Sequence, residues 1–142
     1  LITELEYSID YIKRRSSKKV SFDFQYPNPN MQVKMNVILF NWVIENLLKN
    51  ALDAIDGIGD IVIKVEEDTD HAIIDISDSG KGIPRSKQKT VFEPGYSTKK
   101  RGWGLGLTLA KRITESYHKG KIFVKQSAPG KGTTFRIILP KS

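Results

Sequence analysis

The sequence contains no cysteine, so disulfide bridges and thiolate metal ligands are excluded. No apolar run approaches the ~18 residues that a membrane-spanning helix needs, and no signal peptide is visible at the start. The phosphate-binding pattern G-x-x-x-x-G-K-[ST] and the sequence H-R-D are also absent. We therefore expect a domain from a reducing compartment that uses neither of these two phosphate-handling motifs.

The length and charge favour one domain with an anionic ligand or partner. At 142 residues the chain can bury a substantial core, and its formal charge is +7. The basic residues are scattered over 13–19, 99–101 and 119–131. Because no nucleic-acid-binding motif accompanies them, we interpret them as solvated surface and expect no nucleic-acid partner.

The hydrophobic pattern predicts a two-layer α/β sandwich. Apolar residues at helical spacing predict a helix over 1–12, which begins in mid-pattern, and a long helix from an Asn36 cap to about residue 56. A third helix follows a glycine-rich segment, and a short helical piece lies at 86–91. Alternation predicts strands, and these are expected at 20–26, 31–35, 61–65, 72–76, 121–126 and 133–139. Each long helix has a single apolar stripe, so we expect the helices to cover one face of a sheet of five or six strands.

Three glycines, Gly102, Gly104 and Gly106, stand at alternate positions and lead directly into the third helix. A glycine-rich turn that opens a helix directs backbone N–H groups and the positive end of the helix dipole to one place, which suits a phosphate. Taken alone, such a short motif is more often a flexible loop.

The polar face of the long helix carries Asn46, Asn50 and Asp53, whose spacing places them on one surface. Asparagine is a weaker helix former than Glu, Lys or Gln, so a purely solvated face would not favour it. Amide oxygens can bind a hard cation such as Mg²⁺. The helix alone leaves two interpretations open, a cation ligand or a tolerated surface asparagine.

The sequence D-S-G-K-G-I-P at 78–84 follows a predicted strand. A carboxylate at a strand end can accept a hydrogen bond from an exocyclic amine, and Gly80 and Gly82 could let a flat base lie against the backbone. An ordinary Asp-Ser-Gly turn is the simpler alternative at this point.

Five motifs in order resemble the nucleotide-binding boxes of histidine-kinase catalytic domains, which share an ATPase superfamily with gyrase, MutL and a heat-shock chaperone. They are N-L-L-K-N-A at 46–51, D-x-G-x-G at 78–82, F-E-P at 92–94, G-x-G-L-G-L at 102–107 and G-x-G-T-T-F at 130–135. The resemblance covers roughly residues 19–140. It implies a Bergerat-type fold with a mixed, mostly antiparallel sheet. It also implies a division into 1–18, the end of a dimerisation-domain helix with its linker, and 19–142, the catalytic ATP-binding domain.

The resemblance implies ATP and Mg²⁺ as cofactors and assigns roles residue by residue. Asn50 would bind the metal, and Asn46 would support the phosphates or the metal. Asp78 would read the adenine amino group, with Thr133 or Thr134 close to it. The remaining residues of the implied ATP-binding set are Asp53, Gly80, Gly82, Ile83, Phe92, Thr98, Gly102, Gly104, Leu105, Gly106 and Leu107.

Two features of this sequence depart from the family pattern. Asp53 stands where many histidine kinases have lysine. An aspartate at this position matches the N-A-x-D-A pattern of the wider superfamily. The lid at 92–100 is short, and only Lys99, Lys100 and Arg101 precede the glycines. One of these three cations is expected to meet the γ-phosphate, and the resemblance does not choose among them.

The residue one turn before Asn50 favours a kinase over a hydrolase. Superfamily members that hydrolyse ATP have a water-activating Glu there, whereas this chain has Asn46, and Glu45 points to another side of the helix. Neither His71 nor His118 is followed by the acidic residue that marks a family phosphoacceptor, so both are interpreted as structural.

We therefore expect the catalytic domain of a two-component sensor histidine kinase. It would pass the γ-phosphoryl of ATP to a histidine on a separate dimerisation domain, for relay to a response-regulator aspartate. The full-length protein is expected to be a homodimer in the cytoplasm, with anchoring to the inner membrane left open. The alternatives are an anti-sigma-type serine kinase of the same superfamily and a non-catalytic nucleotide-binding module.

Overall fold

A computed structural model describes residues 1–16, 19–55, 57–93 and 106–141, which contain three α-helices and five strands. The helices are α1 (Ile2–Lys13), α2 (Val37–Ala54) and α3 (Gly106–Arg112), and a π-helical turn (Ile113–Tyr117) extends α3. The strands are β1 (Val20–Gln25), β2 (Gly59–Glu67), β3 (His71–Asp78), β4 (Lys121–Ala128) and β5 (Gly132–Pro140). Two short 3-10 turns cover Arg85–Lys87 and Thr90–Phe92.

The strands form one mixed sheet in the order β1-β2-β3-β5-β4. Only β1 and β2 pair in parallel, and the other neighbours are antiparallel. A parallel pair needs a crossover, and here the crossover contains α2. The predicted mixed sheet of about five strands is confirmed.

The predicted strand at 31–35 is wrong, because residues 31–36 have no regular secondary structure. Met31 is only 2% exposed, and Val33 and Met35 pack against the core. The alternation of apolar residues therefore arises without a strand. It comes from a connecting segment in which every second residue packs against the core.

The two faces of the sheet differ in character. One face packs against the helices, and its fully buried side chains include Ile61, Ile63, Ile74, Ile76 and Ile137. Because successive strand residues point to opposite faces, the intervening positions form the second face, which carries Lys64, Asp75 and Arg136. Asp78 has the parity of Ile74 and Ile76, so it lies on the helix-facing side.

Helix α1 shares the hydrophobic core with the rest of the described chain. Leu5 and Ile12 are almost completely buried, and Ser8 Oγ lies 3.2 Å from Oδ1 of Asn41 on α2. The division at residue 18 stays a prediction, and the helix on its N-terminal side packs directly on α2. Within the described ranges, no helix has the length and apolar character of a membrane span.

Helix α2 begins where the sequence predicts. Asn36 Oδ1 accepts a hydrogen bond from the Leu39 N–H at 3.0 Å, which satisfies one of the free donors of the first turn. His118 Nε2 accepts from the Asn36 N–H at 3.1 Å, and its Nδ1 lies 3.0 Å from the Ile113 carbonyl oxygen. Both ring nitrogens thus contact backbone groups, in agreement with the structural role predicted for His118.

Candidate functional site

Asp78 ends β3 with a carboxylate that is held by backbone donors. Its Oδ1 accepts the Gly80 N–H at 2.8 Å, and the Thr133 N–H is a second donor. Burial raises the pKa of Asp78 above its usual range, although both N–H groups act in the opposite direction. A carboxylate that remains costly to ionise in the folded chain is typical of a functional site.

The loop after Asp78 is fixed by close backbone contacts. A Cβ on Gly80 would lie 2.5 Å from the Ala54 carbonyl oxygen, and the Lys81 N–H donates to that oxygen at 3.0 Å. Gly82 has φ +78°, and a Cβ there would lie 2.0 Å from the Ala128 carbonyl oxygen. The missing side chains therefore admit protein backbone, which is a packing reason for glycine that the sequence prediction did not include.

The structure separates the two threonines that the resemblance left open. Thr133 is the register partner of Asp78 and lies on the same face of the sheet. Thr134 faces the opposite side, where its Oγ1 lies 2.8 Å from Ser77 Oγ. Only Thr133 is brought together with Asp78, so the prediction of Thr134 at the same site is not supported by its position.

Ser127 is a site-facing residue that the sequence analysis missed. Val124 pairs with Phe135 and Gln126 with Thr134, so β4 contains an extra residue between them and its alternation reverses. This bulge turns Ser127 to the side of Thr133, and the two hydroxyl oxygens lie 2.8 Å apart. The predicted strand ended at residue 126, and hydropathy alternation contains no signal for such a reversal.

The polar face of α2 meets the start of α3. The Nδ2 atom of Asn46 is buried and has no hydrogen-bond partner in the described structure. A Cβ on Gly106 would lie 2.8 Å from that nitrogen, so α3 begins directly against Asn46. Asn50 follows one turn later and is half-buried, whereas Asp53 is exposed.

Phe92 and the adjacent residues join α3 to the core. The Phe92 ring packs edge-on against Phe135 with 6.0 Å between ring centroids. Thr108 Oγ1 donates to the Phe92 carbonyl oxygen at 2.8 Å, while Ile83 and Leu107 pack against the core. Phe92 therefore acts mainly as an anchor in the described structure. The predicted residues Thr98, Lys99, Lys100, Arg101, Gly102, Gly104 and Leu105 lie outside the described residues.

A surface cleft of about 600 Å³ lies at the opposite end of the sheet and contains none of the predicted site residues. Its lining includes Glu67, which accepts a hydrogen bond from Asn28 Nδ2 at 3.0 Å and forms an ion pair with Lys141. These groups already satisfy one another, so the cleft is a weaker candidate than the surroundings of Asp78.

Comparison with known proteins agrees with this geometry. The model of the "Histidine kinase-, DNA gyrase B-, and HSP90-like ATPase" family matches residues 36–142. The chain belongs to this family. Its matched range contains all the site residues described above.

Two relatives of this ATPase-family chain are named as kinases, and one of them is named as a histidine-protein kinase. Sporulation kinase C of Bacillus subtilis (strain 168) is 38% identical over 98 residues, which is 69% of this chain and 22% of that protein. The signal transduction histidine-protein kinase AtoS of Escherichia coli (strain K12) is 40% identical over 123 residues, 86% of this chain and 20% of that protein. The chain thus spans about a fifth of the length of these two relatives.

Solved histidine-kinase structures show the same fold. The catalytic domain of histidine kinase ThkA is 27% identical with a TM-score of 0.83, and the match covers 99% of this chain and 91% of that one. The mycobacterial sensor histidine kinase MprB is also 27% identical, with a TM-score of 0.86 over 97% of this chain and 92% of that one. The predicted histidine-kinase type of ATP-binding domain and its α/β sandwich fold are confirmed.

Proposed function

We propose that this ATPase-family chain binds Mg²⁺ and ATP and transfers the γ-phosphoryl group to a histidine on a dimerisation domain. The observation that carries the proposal is the unsatisfied side-chain amide of Asn46. Its buried Nδ2 donor has no partner in the described structure, and leaving such a donor unsatisfied costs about 1–3 kcal/mol. A phosphate oxygen of the nucleotide is an acceptor that would remove this cost.

Asn46 also favours transfer over hydrolysis. An amide has no basic group with which to activate water, whereas a carboxylate at this position could do so. Phosphoryl transfer requires mainly positioning of the reactants and neutralisation of the developing charge. A site with amide groups beside the phosphates therefore suits delivery of the phosphoryl group to an external acceptor.

Asp78 and Thr133 would bind the base. The Asp78 carboxylate, already held by two backbone N–H groups, has further lone pairs for the adenine amino group. Ile83 packs on the core beside this carboxylate's loop and would contribute apolar contact. The glycine-rich segment at 102–106 would surround the phosphates, and one of Lys99, Lys100 and Arg101 would meet the γ-phosphate.

Asn50 would hold Mg²⁺. The donor set on this face of α2, two amides and the carboxylate of Asp53, fits a hard cation that prefers oxygen. Mg²⁺ takes few protein ligands and completes its shell with phosphate oxygens and water, so one or two of these side chains would suffice. Bound there, it would neutralise phosphate charge during transfer.

The wider assignment extends the resemblance to histidine kinases. The relative AtoS is named a signal transduction histidine-protein kinase, and for this chain we infer a homodimeric, cytoplasmic kinase that relays phosphoryl groups to a response-regulator aspartate. Nucleic acid is not expected as a partner.

The test mixes this chain, a separately expressed dimerisation domain and radiolabelled ATP with Mg²⁺. We expect label on the dimerisation domain that is lost in acid and kept in alkali, and no label with Asn50→Ala. Release of inorganic phosphate without labelled protein would instead show a hydrolase. Nucleotide binding with neither outcome would show a regulatory module.

A further inference from the structure

One hydroxyl group, that of Ser127, connects three parts of the candidate base site. Its Oγ accepts the Ile83 N–H at 2.7 Å, lies 3.1 Å from the Gly132 carbonyl oxygen and lies 2.8 Å from Thr133 Oγ1. Ser127 reaches this position only because the bulge in β4 reverses the side to which it points.

Counting protons assigns a direction to each of these hydrogen bonds. A serine hydroxyl donates once and accepts twice. The Ile83 N–H can only donate and the Gly132 carbonyl can only accept, so Ser127 uses its single proton on Gly132. The Thr133 hydroxyl must then donate its own proton to Ser127 for all three contacts to be hydrogen bonds. Thr133 Oγ1 keeps only acceptor lone pairs for anything else that approaches it.

We propose that Ser127 is a positioning residue that holds the Thr133 hydroxyl as an acceptor beside the Asp78 carboxylate and thereby selects a 6-aminopurine over a 6-oxopurine. The inference rests on the proposed function, since it concerns the base of the nucleotide bound there. Asp78 and Thr133 are direct cross-strand partners on one face, so the base edge meets two acceptors together.

The selection follows from the chemistry of the two base edges. An amino group at C6 presents two protons, which suit two neighbouring acceptors. A 6-oxo group presents lone pairs to the same place, and an acceptor facing an acceptor is repelled. If the Thr133 hydroxyl could rotate, it would donate to the 6-oxo group and part of the discrimination would disappear.

The test measures by calorimetry the affinities of wild type and Ser127→Ala for ATP and for ITP, which carries a 6-oxo group. We expect Ser127→Ala to lower the ratio of ATP affinity to ITP affinity by about tenfold, because the freed Thr133 hydroxyl can donate. Ser127→Thr, which keeps the hydroxyl, should restore most of the ratio.

Two controls separate this role from simple support of the loop. Gln88 Nε2 donates to the carbonyl oxygens of Ile83 and Ser127 at 3.2 Å and 3.1 Å, so Gln88→Ala loosens the same loop without changing the hydroxyl network. It should weaken both nucleotides by one factor and leave the ratio unchanged. Ser77→Ala removes a serine–threonine contact of equal length, 2.8 Å, on the opposite face and should change neither affinity.

An unchanged ratio in Ser127→Ala, with ATP and ITP weakened equally, would overturn the inference and leave the proposed function intact. A folded wild type that binds neither nucleotide would overturn the proposed function itself.

Discussion

Asp75 and Asp78 lie three residues apart on β3 and have opposite surroundings. Asp75 is buried on the face of the sheet that the helices do not cover, where Arg136 donates to both of its oxygens at 2.8 and 2.9 Å and Lys125 lies 3.5 Å away. Asp78 is on the helix-facing side, where backbone N–H groups hold its carboxylate. The difference of three positions changes the face because strand side chains alternate.

The two surroundings shift the two pKa values in opposite directions. Burial by itself raises the pKa of Asp75, but the hydrogen bonds and charge of Arg136, helped by Lys125, outweigh it and hold that pKa below its usual range. Burial of Asp78 outweighs the opposing hydrogen bonds from the Gly80 and Thr133 N–H groups, and its pKa is raised. The ionised Asp75 carboxylate stabilises the fold, whereas the ionised Asp78 carboxylate destabilises it. We attribute the presence of this destabilising group to its role in ligand binding.

The largest effect should come from replacing the carboxylate of the site. Asp78→Asn replaces one of the acceptor oxygens with an amide that donates, so we expect ATP affinity to fall about 100-fold, as for loss of a charge-assisted hydrogen bond. The free protein should be as stable as wild type at neutral pH or more stable, because the burial penalty disappears. Calorimetry and urea unfolding measure the two quantities.

The comparison would fail if Asp78→Asn kept the ATP affinity within about twofold of wild type. It would also fail if this variant unfolded far more easily, since Asp78 would then be a structural carboxylate like Asp75.

The reverse pattern is expected for the ion pair. Arg136→Met leaves Asp75 in a largely buried position with only the more distant Lys125, and we expect a loss of about 2 kcal/mol in the free energy of unfolding. ATP affinity should stay within about twofold, because the pair faces away from the site. Urea unfolding monitored by tryptophan fluorescence measures the first effect. A large loss of ATP affinity in a folded variant would show that the two faces are coupled.

A smaller effect should appear in the pH dependence of stability. The folded-state pKa of Asp78 is above that of the unfolded chain, so the folded protein takes up a proton first as the pH falls. The stability advantage of Asp78→Asn over wild type should therefore be present at neutral pH and shrink as the pH falls through this raised pKa. The stabilisation from Asp75 is present above its ordinary pKa and should be lost only as the pH falls through its lowered pKa.

Unfolding curves from about pH 7 to about pH 3 for wild type, Asp78→Asn and Asp75→Asn measure these windows. A difference between wild type and Asp78→Asn that stayed constant over the whole range would contradict the raised pKa.

Much of the fold was predictable because the apolar patterns of α2, β2 and β3 agree with their packing. Ile61, Ile63, Ile74 and Ile76 alternate strictly and are all buried on one face. The segment around Met31 shows the same alternation without forming a strand, since burial of every second residue needs only a surface to lie on. Local periodicity cannot distinguish these two cases.

Candidate site residues could be selected from the sequence where a side chain suited to the ligand occurs within an ordered set of motifs, at Asn46, Asn50 and Asp78, and their roles stay predictions. The face of the sheet on which Thr133 and Ser127 lie could not be predicted from the sequence. It depends on the strand register and on the bulge in β4, which arise from pairing between strands distant in the chain. The sequence left Thr133 and Thr134 as alternatives for this reason, and it did not indicate Ser127.

The smallest effect is expected from substitutions at Thr133 and Thr134, adjacent residues whose side chains lie on opposite faces of the sheet. Thr134→Val removes the buried hydroxyl that lies 2.8 Å from Ser77 Oγ on the face that the helices do not cover, and we expect it to cost about 1 kcal/mol of stability. ATP affinity should not change, because Thr134 faces away from Asp78. The matched variant Thr133→Val should weaken ATP measurably, since it removes an acceptor beside the carboxylate. Equal effects of the two substitutions on calorimetric ATP affinity would mean that the face on which a hydroxyl lies does not decide its role.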